Sequence, residues 1–169
     1  MRESVENLRV RLDTFLHGAY DENIDSVWNS LYFCAAKKDG EFNSLFLLII
    51  DFLKDERLEK VEGIAGLFIH IDAEIRCFSE DERDLLVNAM AGAFPHLDEN
   101  AQFSLSELWG TIASRAAIEA IRNIVPNSSG ARNYLAHALG HIQKNTIDEG
   151  IAEMARNALG AIGGNPNNW

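Results

Sequence analysis

Three five-residue strings share one polar frame: Asp84-Leu85-Leu86-Val87-Asn88, Glu119-Ala120-Ile121-Arg122-Asn123 and Glu153-Met154-Ala155-Arg156-Asn157. An acid followed four positions later by asparagine places both side chains on one face of a helix. The strings begin at 84, 119 and 153, an interval of 35 and then 34 residues, which suits stacked two-helix units. Two short helices cannot bury their apolar faces alone, so such units stack, and a polar position kept in register becomes a row along one outer surface. The pattern predicts an all-α, right-handed stack of antiparallel helical hairpins.

Hydrophobic periodicity along the chain agrees with that class. Val5, Leu8, Leu12, Phe15 and Leu16 recur at helical spacing before Gly18, and this first helix would cap the stack. Ile24, Val27, Trp28, Leu31 and Ala35 form a second stripe that ends at Lys37-Lys38-Asp39-Gly40. Asn43 is placed to cap the next helix, with Phe42 and Leu47 spaced for a hydrophobic staple, and Leu45 to Ile50 is apolar all round, so this helix should be central. Val61 to Ile75 reads as a fourth helix, with Gly63 and Gly66 inside it allowing close helix contact. Ser79 with Glu82 is a capping box, and Pro95 closes the helix it opens.

Asp98 or Ser104 can start the following segment, and residues 98–125 form either one bent helix or two joined near Ala113-Ser114. Pro126-Asn127-Ser128-Ser129-Gly130 is a loop. Tyr134 to Ile142 is a further helix, and Thr146 with Glu149 opens the last one, which turns Ile151, Met154, Ala155, Ala158, Leu159 and Ile162 inward. The expectation is about nine helices in one domain over residues 1–162. A flexible tail over 163–169 would follow, from which Trp169 could fold back.

Composition narrows the partners. The 169 residues, 47% of them apolar, can build a core without disulfides or metal. A formal charge of −11 disfavours nucleic acid and anionic membranes, since both would repel this field, and points to a basic protein partner. The longest apolar run falls far short of the ~20 residues that cross a bilayer. Cys34 and Cys77 sit in apolar helical patterns and read as free buried thiols in a reducing cytosol rather than a disulfide framework. With no secretory signal in the first residues, a soluble cytoplasmic protein is expected, monomeric or weakly dimeric.

Ala138-Leu139-Gly140-His141-Ile142 and Ala158-Leu159-Gly160-Ala161-Ile162-Gly163 resemble the small-residue helix endings of HEAT-type repeats. The resemblance implies a HEAT-like or armadillo-like α-solenoid serving as a binding surface for proteins. In size, charge and helical content the chain also resembles bacterial immunity proteins that neutralise a toxin, and from that likeness no functional residue is carried over.

The candidate partner-binding residues are Asp84, Glu119 and Glu153 with Asn88, Asn123 and Asn157, braced by Arg122 and Arg156, and Trp109 as a partly exposed aromatic anchor. The bland alternative is a solvated helix face, which is rich in these residue types anyway. His137 and His141 stand at i and i+4, a spacing that suits two ligands of a metal, with Glu149 or Glu153 as a third. That defines a helical metalloprotein as the competing reading, and a non-inhibitory scaffold as another. His70 reads as a hydrogen-bonded helix residue, and His17 and His96 as helix-end cations. Asp51, Asp72 and Glu74 could assemble paired carboxylates for acid–base work, although a solvent-facing Asp51 explains the sequence as well. No phosphate-binding loop, nucleophile elbow or dinucleotide fingerprint occurs, so no catalytic residue and no cofactor are assigned.

Overall fold

The computed structural model describes residues 3–18 and 23–163. Those residues form ten α-helices joined by short 3-10 turns, with no strand among them. Helix α1 (Val5–Leu16) begins where the Ser4 hydroxyl accepts the Asn7 N–H at 3.2 Å, and it buries Leu8, Leu12, Phe15 and Leu16 as its spacing requires. The stripe expected to be one helix is two, α2 (Ile24–Trp28) and α3 (Phe33–Lys38), because the chain turns at Asn29-Ser30 while Leu31 stays buried. No side chain of its own caps α3. The Glu74 carboxylate accepts the Phe33 N–H instead, a long-range cap that local sequence cannot announce.

Helix α4 (Phe42–Leu53) buries eight apolar side chains, each contributing on the order of 1.5–3 kcal/mol. It starts one residue before the expected Asn43 cap, and Leu47 is 58% exposed, so the staple with Phe42 does not form. Its outer stripe is Asn43, Ser44, Leu47, Asp51 and Lys54. Helix α5 (Ala65–Ala73) is shorter than expected because Gly63 takes φ +78° ahead of it. A Cβ there would meet Ile24 Cγ2 at 2.6 Å, and one at Gly66 would meet Trp28 Cδ1 at 2.7 Å, while the Trp28 indole N–H donates to the Gly63 carbonyl at 2.9 Å. The glycines therefore let α2 lie directly on α5.

Helix α6 (Glu80–Ala93) carries both halves of its capping box, Ser79 Oγ accepting the Glu82 N–H and Glu82 accepting the Ser79 N–H. It ends before Pro95, in the 3-10 turn Phe94–His96. The segment 98–125 is two helices, α7 (Glu99–Ile112) capped by Asp98 and α8 (Arg115–Ile124) capped by Ser114, with Ala113 between them at φ +50°. Ser104 is not a start. Helix α9 (Arg132–Asn145) precedes α10 (Glu149–Ile162), whose cap is Asp148 rather than Thr146. In α10 only Ala155 and Ala158 are fully buried, and Ile151, Met154, Leu159 and Ile162 are half-buried. The proposed tail from 164 onward, including Trp169, lies outside the described residues.

From α4 onward the helices pack on the next but one in the chain, and α9 also packs on α10 and α3 on α4. One row runs α1, α4, α6, α8, α10 and the other α2, α5, α7, α9, while α10 also lies along α9. The apolar faces between the rows form a single core from Leu8 to Ala158.

The two cysteines are not free. Cys34 on α3 and Cys77 in the 3-10 turn Ile75–Cys77 form a disulfide with Cα atoms 5.3 Å apart, closing 43 residues of chain. Sequence spacing gave no sign of this, since the packing of α3 on that turn brings them together. By chain entropy such a loop is worth about 4 kcal/mol. Disulfides persist in oxidising surroundings, so the thiol argument for a reducing cytosol does not stand. No described helix is long and apolar enough to cross a membrane.

Candidate functional site

Helices α6, α8 and α10 are successive neighbours in one row, and their first turns meet. Glu80, Arg83 and Asp84 of α6, Ser114 and Arg115 at the start of α8, and Asp148 and Ile151 at the start of α10 line one cleft of about 310 Å³. The three helices therefore begin at the same end of the molecule and run side by side. Asp84, Glu119 and Glu153 are each the fifth residue of their helices, and Asn88, Asn123 and Asn157 each the ninth. With a rise of 1.5 Å per residue, each asparagine lies about 6 Å further along its own helix than its acid.

All six side chains are exposed. None of them makes a hydrogen bond or ion pair among the described residues. Arg122 and Arg156, expected to brace the acids, are exposed and likewise make no ion pair there. Counted with the Asp148 cap, the three helices carry eight acids and four arginines, a net charge of −4. Asn88 also faces a second cleft of about 310 Å³, between α6 and the end of α4, with Lys54, Asp55, Glu56 and His96 around it.

In the opposite row, polar groups pair across the α7–α9 seam. Tyr134 on α9 donates to the Glu99 carboxylate of α7 and meets Phe103 edge-on at 5.5 Å. That hydrogen bond raises the phenol's pKa above the ordinary 10.0. His137 lies 3.4 Å from Glu107 of α7, and the exposed His141 ring would touch a Cβ placed on Gly110 at 3.4 Å. Histidines 137 and 141 thus face the seam with α7 rather than Glu149 or Glu153 of α10. Among the described residues no group of three or more His, Cys, Asp or Glu side chains is arranged to hold a metal.

Trp109 corrects the expectation of an exposed anchor. It is fully buried, stacked on Phe94 with ring centres 5.6 Å apart. The cause is the position of α7 between α5 and α9, which covers its apolar side. The acid–base grouping of Asp51, Asp72 and Glu74 also fails to assemble: Asp51 is exposed, Glu74 caps α3, and Asp72 is half-buried with one carboxylate oxygen lacking a partner. Near the other end of the first row, Asp13, His17, Asp55 and Arg57 join α1 to the 3-10 turn Glu56–Lys60. The Arg57 guanidinium donates to Asp55 at 2.9 and 3.0 Å and holds its carboxyl below the ordinary range, so these charges are satisfied among themselves.

What the sequence missed is the cleft at the helix starts. Its signal was present in the caps Ser79, Ser114 and Asp148, which mark three beginnings in register with the acids. Comparison with family models, curated proteins and solved structures returns no match.

Proposed function

We propose that the chain is a protein-binding module, a HEAT-like stack of helical hairpins that docks a basic protein along the outer face of α6, α8 and α10. The observation that carries this reading is the register: three acid–asparagine pairs at the same offsets on adjacent helices, exposed and uncommitted to any partner among the described residues. Side chains left unspent in a repeating row offer carboxylates for lysine and arginine, with amides supplying neutral donors and acceptors beside them. The acids steer the partner and the asparagines fix its register. Occlusion of a basic enzyme, such as the toxin partner of an immunity-type protein, follows from coverage of the partner's cationic surface. The overall charge of −11 favours encounter with such a partner.

The test is recovery of a partner from the native cell with the intact chain and with the triple variant Asp84→Asn/Glu119→Gln/Glu153→Gln. Wild-type protein should retain a basic protein and suppress its activity, and the variant should lose it while keeping its helical signal. Equal recovery by both, or no basic protein at all, would contradict the reading.

A further inference from the structure

We propose that the Cys34–Cys77 disulfide is a thiol-exchangeable latch that holds α3 against the start of α6. Three features place the bond at a local hinge rather than in the middle of the core. Both cysteines are half-buried rather than sealed in the core. Helix α3 is six residues long, lacks a side-chain cap of its own, and packs mainly on α4 and the turn Ile75–Cys77. The contacts beside the bond converge on the same seam: the Lys37 ammonium donates to the Cys77 carbonyl and lies 3.3 Å from Glu82, and Glu74 accepts the Phe33 N–H. Glu82 is also the capping-box acid of α6, so the latch and the first turn of that helix share a residue.

The exchange is a two-electron reaction with a dithiol. One thiolate of the dithiol attacks a cysteine sulfur, the Cys34–Cys77 bond breaks, and a mixed disulfide forms as the other cysteine leaves. The second thiol then displaces the first cysteine, the dithiol departs as its own disulfide, and the two protons end on Cys34 and Cys77. In the reduced state α3 keeps only Phe33 and Ala36 as buried anchors, together with the Lys37 and Glu74 contacts. It opens locally while α7 to α10, which share no covalent tie with it, stay closed. The proposal stands independently of the docking reading.

The experiment uses the wild-type chain, oxidised with glutathione disulfide and then reduced with dithiothreitol, with thiols counted and amide exchange followed in both states. Reduction without denaturant should free two thiols and speed exchange over residues 33–38 and 75–82 by about tenfold or more, with residues 99–162 unchanged and reoxidation restoring protection. Three results would overturn the proposal: two thiols that stay free after oxidation, a bond that yields to the dithiol only once the chain is unfolded, or reduction that exposes α7 to α10 along with α3.

Discussion

At the scale of single residues, some side chains are spent on partners within the fold and others are not. Tyr134 is spent on Glu99, and the bond raises its pKa above 10.0. Since the folded value lies above the unfolded one, the stability from this contact is complete below pH 10 and disappears as pH rises through the raised folded value. Alkaline titration followed by phenolate absorbance should show one late-ionising tyrosine that is missing in Tyr134→Phe. Gly66 is a second residue-level constraint. Its Cα faces the edge of a buried indole held by a hydrogen bond to Gly63, so Gly66→Ala must displace Trp28 and should lower stability by about 1–3 kcal/mol in denaturant unfolding. An unchanged midpoint would show that α2 does not sit on α5 as described.

At the scale of elements, the helices were largely legible because their signals are local. Ser79 and Asp98 cap where the sequence implies, and α1, α4 and α6 carry their apolar residues at helical spacing. The misreadings have physical causes. In α7 the buried apolar side chains are Ala101, Leu105, Leu108, Trp109 and Ile112, while Phe103 is exposed, so the expected exposure of Trp109 gives way to burial between α5 and α9. The division of α2 from α3 and the disulfide both depend on the turn Ile75–Cys77 and on Glu74, more than forty positions away in the chain. The break between α7 and α8 rests on a left-handed alanine, which costs roughly 1 kcal/mol or more relative to glycine. Ala113→Gly should accordingly raise the unfolding midpoint by about 0.5–1 kcal/mol in equivalent stability, and a loss of that size would mean that the half-buried methyl matters more than the backbone strain.

At the scale of the whole molecule, a short polar repeat falls on three neighbouring helices. The strings spaced 35 and 34 residues apart lie at the same offset in α6, α8 and α10, successive neighbours whose starts line one cleft. That these side chains face solvent was legible in their helical spacing; the cleft at the helix starts was not, because three separate starts must converge to make it. Net charge is a property of the same scale, and it acts on encounter more than on the final contact. The decisive measurement is the association rate of the basic partner with the wild-type chain and with Asp84→Asn/Glu119→Gln/Glu153→Gln across a range of salt. The wild-type rate should fall by about tenfold or more between 50 and 300 mM salt, and the variant should associate more slowly at low salt with a shallower dependence. Identical rates and identical salt slopes for the two proteins would contradict the claim that this row of side chains is the docking face.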